Sequence, residues 1–451
     1  MRLNGHGRHG ALTVRDVDLV GVGLGPSNLA LALAVSEHNE HHPQRALRTA
    51  FLERQPAFGW HLGMMLEGAT MQVSFLKDLA TMRNPTSKYT FVNYLHEHGR
   101  LPDFINQKDF FPTRIEFNDY LKWCAGHVDD LVCYDREVTR IRPLLDDSGS
   151  VERFQVDSRC GSTQIGADSI WTRNVVIATG LVPRLPAGTT LSDRVWHSSQ
   201  LMSRAPSLIG TPLRSIAVVG SGQSAAEAAA YLHQEFTDAR IHCVMQRYGY
   251  SQSDNTPFAN RVFDPSSVDE YYAASPEARG QILTYHSNTN YSVVDESLIT
   301  ELYRRQYRES VSGTQRLIMC PLRHLTGITE RADGRPVLEL TSLTTDSFDR
   351  LEVDLVVLAT GYKHMDPSNL IQDIDHECLR DANGRLQVSR YYKVVTTDVV
   401  RAGVYVQGGT EHTHGLSASL LSNVAVRAGE ILGSVAAGNR STQQEEAHVR
   451  P

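Results

Sequence analysis

The stretch VDLVGVGLGPSNLALALAV, residues 17–35, decides the fold of the chain. It begins with an apolar run typical of a β-strand and continues with an apolar pattern typical of a helix. Between the two, Gly23, Gly25 and Asn28 stand at GxGxxN spacing, so Asn28 replaces the usual third glycine of the dinucleotide-binding fingerprint. Such a turn brings backbone N–H groups and a helix N-terminus close to a pyrophosphate. The stretch predicts a Rossmann-type unit, although a glycine turn without a ligand stays open from this unit alone.

An acidic residue at the next strand end indicates which dinucleotide the unit takes. A strand over residues 49–52 ends at Glu53, 30 residues after Gly23. The carboxylate can accept a hydrogen bond from a free ribose 2′-OH, which suits FAD. We therefore predict that the first unit binds FAD.

A second unit of the same kind begins at SIAVVGSGQSAAEAAAYL, residues 215–232. Its glycine turn contains Gly220, Gly222, Gln223 and Ser224. The next strand, 241–245, is followed by Arg247 rather than by a carboxylate. A guanidinium can pair with a 2′-phosphate, so this unit favours NADPH over NADH. The alternative interpretation of Arg247 is an exposed loop charge.

Two segments that end in ATG strengthen the prediction of two units. NVVIATG (174–180) and DLVVLATGY (354–362) are each typical of a buried strand that ends in a small-residue turn. Such strands commonly return the chain between the two nucleotide domains of flavin disulfide-reductase-like folds. The fold class is therefore α/β, with two Rossmann-like dinucleotide-binding domains and a small, mostly helical insertion. Two such units imply hydride transfer from NADPH to a bound flavin.

Composition excludes several classes of function. The chain has 451 residues, enough for two or three domains, and its net charge of -7 predicts no nucleic-acid partner. No apolar run approaches the ~18 residues that a membrane span needs, and the N-terminal segment lacks the apolar stretch of a secretory signal. The six scattered cysteines form no CxxC pair. We therefore expect reduced thiols in a cytoplasmic protein, without a metal site.

The longest informative stretch is WHLGMMLEGATMQVSFLKDLATMRNPTSKYTFVNYL, residues 60–95. It resembles the N-hydroxylating flavin monooxygenases of siderophore biosynthesis and, within them, the L-ornithine N5-monooxygenases. The likeness covers nearly the whole chain beyond the N-terminal tail. It continues through GRLPDFINQKDFFPTRIEFNDYLKWCA (99–125), GSGQSAAE (220–227), DNTPFANRVFDP (254–265), TNYSVVD (289–295) and THGLSASLLS (413–422).

The resemblance implies roles for residues at matching motif positions. Lys77 in FLKDL would bind the substrate carboxylate, Asn260 in TPFANRVF its α-amino and carboxylate end, and Asn290 would lie near the side-chain amine and the nicotinamide ribose. Ser417 would line the pocket near the reacting amine. The residues predicted to bind FAD are Gly23, Gly25, Pro26, Asn28, Glu53, Trp60, His61 and Gln72. Those predicted to bind NADPH are Gly220, Gly222, Gln223, Ser224, Arg247 and Asn290.

These roles agree with the chemistry of an amino-acid substrate. Its carboxylate suits a lysine and its ammonium suits an amide carbonyl. The reacting amine must be neutral, so the pocket should avoid a carboxylate that would hold it protonated. The chain departs from the family's motifs twice, with Arg261 where an acid is usual and Ala418 where Asp is usual. Each departure lies beside a residue to which the resemblance gives a role.

The resemblance also implies a mechanism. FAD reduced by NADPH would react with O2 to give a C4a-hydroperoxyflavin, whose distal oxygen passes to the side-chain amine of L-ornithine. No side chain acts as a nucleophile or as an acid or base. The product, N5-hydroxyornithine, would serve the biosynthesis of a siderophore or related natural product, and the resemblance implies a homotetramer.

Other functions stay open. The same chemistry on lysine or a diamine is the main alternative, and a non-hydroxylating flavin NADPH oxidoreductase or a dinucleotide-binding sensor are others. A disulfide reductase would need a CxxxxC pair near the first domain, which the sequence lacks.

The motifs also predict the domain boundaries. The FAD-binding domain is discontinuous, and the NADPH-binding domain carries the substrate-binding insertion or lid. The predicted ranges are 14–204 and 371–440 for the FAD domain, 205–370 for the NADPH domain, 250–310 for the insertion, and 1–13 and 441–451 for disordered tails.

Overall fold

A computed structural model describes residues 15–161 and 167–449 of the chain. The predicted tail 1–13 lies outside the described residues. The strands are β1 Arg15–Val22, β2 Thr49–Leu52, β3 Val132–Cys133, β4 Arg136–Leu145, β5 Val151–Cys160, β6 Ala167–Ile177, β7 Leu181–Pro183, β8 Val195–His197, β9 Ser215–Val219, β10 Arg240–Val244, β11 Leu317–Cys320, β12 Arg323–Glu330, β13 Pro336–Ser342, β14 Phe348–Glu352, β15 Leu355–Leu358, β16 Tyr362–His364 and β17 Gly403–Val406. The helices are α1 Pro26–His41, α2 Phe91–Glu97, α3 Leu101–Gln107, α4 Arg114–Gly126, α5 Leu201–Arg204, α6 Gln223–Glu235, α7 Pro265–Ala273, α8 Pro276–Tyr285, α9 Glu296–Ser312, α10 Glu411–His414 and α11 Val424–Val449.

The first unit is built on a mixed sheet with strand order β3-β2-β1-β6-β5-β4. Strands β1, β2, β3 and β6 run parallel, and β17 joins them from the C-terminal part of the chain. The long strand β6 pairs with β5 along its first half and with β17 along its second half. Helix α1 is buried along most of its length and packs against α11, so the C-terminal segment completes this unit. The sequence analysis expected a discontinuous first unit, and its assignment as the FAD-binding domain stays a prediction.

The second unit contains a parallel sheet with strand order β11-β10-β9-β15-β8. Helix α6 follows β9 directly and buries its alanine-rich face. Two parallel-sheet units with a glycine turn after the first strand of each confirm the predicted α/β class. Strand β8 pairs with β15 in this sheet, which moves the start of the unit before residue 195, upstream of the predicted boundary at 205. The antiparallel sheet β12-β13-β14 was not anticipated, because its strands carry no motif.

The chain crosses between the two units where the ATG segments end. Strand β7 follows the first such segment, and β16 follows the second. The two short strands pair antiparallel, with Val182 opposite Lys363. After each ATG turn the chain therefore enters one strand of a shared two-stranded sheet, β7 and β16.

Helices α7, α8 and α9 make up most of the segment predicted as the insertion. Helix α9 continues to Ser312, two residues beyond the predicted end at 310. Helix α11 continues to Val449, through most of the stretch 441–451 that was predicted to be a disordered tail. That stretch is polar but contains no Gly or Pro before residue 450, so nothing in its composition ends the helix.

Candidate active site

A cavity of about 1220 Å³ lies between the first unit, the insertion and the C-terminal segment. It is larger than the roughly 300–1,000 Å³ of a typical small-ligand site, so it has room for a dinucleotide. Its lining includes many of the residues predicted from the sequence: Gly23, Gly25, Pro26, Glu53, Trp60, His61, Gln72, Lys77, Asn260 and Asn290. The structure therefore brings together residues of the predicted flavin and amino-acid sites.

The first glycine turn forms one wall of this cavity. Gly23 has a φ of +82°, and a Cβ there would lie 2.7 Å from the carbonyl oxygen of Ala178. A Cβ on Gly25 would meet no atom within 4 Å, so open space lies over the turn. Glu53 Oε2 accepts a hydrogen bond from the backbone N–H of Leu24 at 2.6 Å, which fixes the strand end against the turn. This cradle fits a pyrophosphate that approaches the backbone closely.

Asn28 braces the turn from behind and does not line the cavity. It is fully buried, and its Nδ2 donates to the carbonyl of Gly23 at 2.7 Å and to that of Val176 at 3.3 Å. Its Oδ1 accepts from Gln407 Nε2 at 2.9 Å. The predicted direct contact with FAD is therefore replaced by a supporting role, because the amide fills the space that a third glycine would leave between helix and sheet.

Lys77 is half-buried and lines the same cavity. Its Nζ lies 5.8 Å from the centroid of the Phe263 ring. Burial lowers the pKa of Lys77, and the nearby carboxylate of Asp264 counteracts part of that shift. Asn260, which also lines the cavity, donates from Nδ2 to the carbonyl of Asn255 at 3.0 Å. A partly desolvated ammonium matches an amino-acid carboxylate better than a solvated lysine would.

Asp295 places a carboxylate on the cavity wall, which the sequence analysis did not single out. Its two oxygens accept hydrogen bonds from Gln72 Nε2 at 3.2 Å and Gln223 Nε2 at 3.0 Å. The backbone N–H of Asp295 in turn donates to Gln223 Oε1 at 2.9 Å. Asp295 is the last residue of the TNYSVVD motif, so this motif could have identified it from the sequence. Both carboxylate oxygens therefore accept hydrogen bonds, one from Gln72 of the first unit and one from Gln223 of the second unit.

A buried ion pair also joins the two units. Arg114 lines the cavity, and its guanidinium contacts Glu227 of α6 at 2.8 and 3.0 Å. The same guanidinium donates to the carbonyl of Met64 at 2.9 Å. Both charged side chains are less than a tenth exposed. A guanidinium at this depth requires a partner, yet no local pattern revealed this one, because the two residues are 113 positions apart.

His61 lies in the cavity wall in a left-handed backbone conformation, with a φ of 56°. Burial, and then the positive charge of Arg114, lower the pKa of His61 to about 4. The ring is therefore neutral at physiological pH. It packs beside the rings of Trp60 and Tyr362. A neutral imidazole with two aromatic neighbours suits a flat aromatic ligand.

The residues of the second glycine turn, Gly220, Gly222, Gln223 and Ser224, do not line the cavity themselves. Gly220 has a φ of +146°, and a Cβ there would lie 2.3 Å from the carbonyl oxygen of Ala359. A Cβ on Gly222 would lie 3.4 Å from Cα of Ser292. Arg247 is exposed and donates to the carbonyl of Ser292 at 2.9 Å. The segment around Ser292 therefore links the second turn to the cavity wall at Asn290.

Ser417 is buried and does not line the cavity, whereas Ser419 does. Both belong to a short 3-10 helix, Leu416–Ser419, in which residues two apart face different directions. The predicted position of the serine in the pocket is therefore taken by Ser419. Of the two motif departures, Arg261 is exposed and forms an ion pair of 3.6 Å with Asp264, and Ala418 is buried. Neither lines the cavity.

Residues 15–161 and 167–449 contain neither a candidate metal site nor a candidate membrane span. No group of three or more His, Cys, Asp or Glu side chains in these ranges is placed to hold a metal ion. Cys124, Cys243 and Cys378 are buried thiols. Within the same ranges, no helix has the length and apolar character needed to cross a membrane.

The fold and the cavity define an oxidoreductase with two dinucleotide-binding domains. The chain belongs to the L-lysine 6-monooxygenase/L-ornithine 5-monooxygenase family, whose model matches residues 15–364. This result confirms the resemblance drawn from the motifs around Lys77, Asn260 and Asn290.

Individual relatives and solved structures are similar over most of the chain. The L-ornithine N(5)-monooxygenase of Burkholderia cepacia is 40% identical over 403 residues, which cover 88% of this chain and 89% of the relative. The Kutzneria sp. 744 ornithine N-hydroxylase structure (KtzI-FADred-NADP+-L-orn) is 48% identical with a TM-score of 0.89, covering 93% and 99% of the two chains. L-lysine 6-monooxygenase from Pseudomonas syringae is 31% identical with a TM-score of 0.82, covering 94% and 99%.

Proposed function

We propose that the chain hydroxylates the side-chain amine of L-ornithine to N5-hydroxyornithine, using FAD, NADPH and O2. The observation that carries the proposal is the single cavity that joins the Gly23–Gly25 turn to Lys77, Asn260 and Asn290. Cofactor and amino-acid sites must adjoin for oxygen to pass directly from a flavin to an amine.

FAD is supported by the open cradle over Gly25 and by the aromatic wall at Trp60 and His61. Glu53 would accept from the ribose of its adenosine half. When bound, FAD supplies the chemistry that takes two electrons from NADPH and activates O2. NADPH would lie at the second glycine turn, with Arg247 at its 2′-phosphate.

The amino acid would be held by its α-carbon end. Lys77 would pair with its carboxylate, and the amides of Asn260 and Asn290 would accept from its ammonium and side-chain amine. The two oxygens of Asp295 on the cavity wall already accept hydrogen bonds from Gln72 and Gln223. The substrate amine must bind in its neutral form to react.

Ornithine is favoured over lysine by similarity. The Burkholderia cepacia and Kutzneria ornithine enzymes are 40% and 48% identical, against 31% for the Pseudomonas syringae lysine enzyme. The direct test is a panel of ornithine, lysine, putrescine and cadaverine with FAD and NADPH, with detection of the hydroxylamine product. We expect product from ornithine above all. Hydroxylamine product from another amine, with none from ornithine, would show that ornithine is not the substrate. A rate of NADPH oxidation that does not change with any of the amines would indicate a dinucleotide-binding sensor.

A variant of Lys77 separates substrate binding from flavin reduction. Lys77→Ala should weaken ornithine binding by about 30-fold or more, since it removes one partner of a partly buried charge pair. The rate of flavin reduction by NADPH should stay near the wild-type value. Lys88→Ala is the matched control, because Lys88 is an exposed lysine paired with Glu40 at 2.6 Å. Equal loss of ornithine binding and flavin reduction in Lys77→Ala would indicate a structural lysine.

We also propose, on the family resemblance, a homotetramer in the cytoplasm that supplies hydroxylated ornithine to siderophore or related biosynthesis. Sedimentation of the purified protein tests the tetramer, and any other stoichiometry contradicts it.

A further inference from the structure

Arg427 of α11 is a buried cation without an acidic hydrogen-bond partner in the described part of the chain. It is 2% exposed. Its guanidinium donates to three neutral oxygens: Gln407 Oε1 at 3.1 Å, the Ala418 carbonyl at 2.5 Å and Ser27 Oγ at 3.0 Å. Ala418, where the family's motif usually has Asp, thus offers this guanidinium only a backbone oxygen.

Among the described residues, the buried Arg114 and the partly buried Arg83 are each neutralised directly by a carboxylate. Arg114 contacts Glu227 at 2.8 Å, and Arg83 contacts Glu37 at 2.6 Å. The acid nearest in sequence to Arg427 is Glu430, whose two oxygens are bound by the guanidinium of Arg390. Burial lowers the pKa of Arg427, while Tyr392 and Glu430 oppose this shift. Arg427 therefore keeps a positive charge that its hydrogen-bond partners do not balance.

Hydrogen bonds connect the guanidinium of Arg427 to the first glycine turn. Ser27, which receives one of its hydrogen bonds, is the second residue of α1 and lines the cavity. Gln407, which receives another, donates to Asn28, and Asn28 holds the carbonyl of Gly23. The guanidinium, the N-terminus of α1 and the turn thus form one connected, positively polarised structure.

We infer that Arg427 is the buried counter-charge for the diphosphate of FAD, acting through Ser27 and the N-terminus of α1. Arg427 is a positioning residue, since it reaches the cofactor through other groups. The inference rests on the proposed binding of FAD at the Gly23–Gly25 turn. Without the dinucleotide all hydrogen-bond partners of this cation are neutral, and the diphosphate then supplies the negative charge that they lack.

The test compares three substitutions at one position. Arg427→Lys keeps the charge, Arg427→Gln keeps amide donors without charge, and Arg427→Met removes both. Flavin fluorescence gives the Kd for FAD, and thermal unfolding of apo and FAD-loaded protein gives the stabilisation by the cofactor. Arg427→Gln and Arg427→Met should raise the Kd about tenfold or more, whereas Arg427→Lys should stay within about threefold of wild type.

The unfolding temperatures separate this role from a structural one. For Arg427→Gln we expect an apo protein at least as stable as wild type and a smaller shift on adding FAD. Arg83→Met is the control: it should lower both apo and loaded unfolding temperatures equally and leave the Kd unchanged. If Arg427→Gln behaves like Arg83→Met, or binds FAD as tightly as Arg427→Lys, the inference is wrong.

The proposed FAD site fails in a different way. In that case the wild-type protein itself would bind no FAD, or Gly25→Ala would leave the Kd unchanged. A wild-type protein that binds FAD at this turn, with an affinity independent of the charge at position 427, would overturn the role of Arg427 alone.

Discussion

Removal of Glu227 should cost the protein much of its stability, because it leaves the guanidinium of Arg114 buried without a negative partner. The pair is bidentate at 2.8 and 3.0 Å, with both side chains less than a tenth exposed. Breaking a buried pair by deleting one member costs about 3–5 kcal/mol. Glu227→Ala should therefore lower the free energy of unfolding by that amount. The pair also joins the two units, so flavin reduction by NADPH should slow in the same variant.

A double-mutant cycle separates the pair from its surroundings. Arg114→Met combined with Glu227→Leu replaces both charges by apolar groups of similar size. The double variant should lie within about 1 kcal/mol of wild type or above it, since no charge is left uncompensated. Urea unfolding of the apo proteins, followed by circular dichroism, gives the four free energies. The exposed pair Lys88–Glu40 is the control, and Glu40→Ala should cost less than about 1 kcal/mol.

Two results would refute this reasoning. If Glu227→Ala costs no more than Glu40→Ala, water reaches the guanidinium and the pair is not buried in solution. If the double variant is as unstable as the sum of the single ones, the two charges do not interact.

Three further predictions concern the glycine turn, the second nucleotide site and acid stability. Gly25→Ala should fold with wild-type stability but lose FAD, because its Cβ meets no protein atom within 4 Å. Gly23→Ala should lose FAD and also about 1–3 kcal/mol of stability, because φ is +82° at this position. Thermal melting and FAD titration distinguish the two variants, and equal behaviour of both would contradict the proposed cradle. Arg247→Ala should raise KM for NADPH on the order of tenfold and leave KM for NADH unchanged, since only NADPH has the 2′-phosphate. An equal change in both KM values would show that Arg247 does not recognise the 2′-phosphate and is an exposed loop charge. Burial lowers the pKa of His414 from 6.5 to about 4, so the unfolded chain binds the extra proton first. The contribution of His414 to the free energy of unfolding is therefore fully present above pH 6.5. It falls by about 3 kcal/mol as the pH drops to 4. His414→Gln should flatten that part of a plot of unfolding free energy against pH, and an unchanged slope would assign the acid sensitivity elsewhere.

Both nucleotide-binding units were predictable because their signals are local. Strands β1 and β9, the glycine turns after them and helices α1 and α6 occupy short continuous stretches in which the residue spacing itself specifies the geometry. The cavity-lining residues Lys77, Asn260 and Asn290 could be singled out for another reason, since they lie within long motifs shared with the family. The cavity shows that these motifs meet in space.

Residues that support the site could not be read from spacing. Arg114 and Glu227 are 113 positions apart, and Arg427 and Ser27 are 400 apart. Whether such residues meet depends on how whole helices and sheets pack, and no local periodicity records that. For the same reason, the sequence did not indicate that Ser419 rather than Ser417 lines the cavity. The orientation of this short 3-10 helix depends on the elements that pack against it.

Residue order thus specified the two glycine turns and the kinds of side chain that line the cavity, because backbone geometry at a glycine turn and charge type at a motif position are local properties. The charge balance around the first glycine turn was specified only by tertiary packing. Burial decides whether a guanidinium needs a partner, and the fold decides whether that partner is an acid, as for Arg114, or a row of neutral oxygens, as for Arg427.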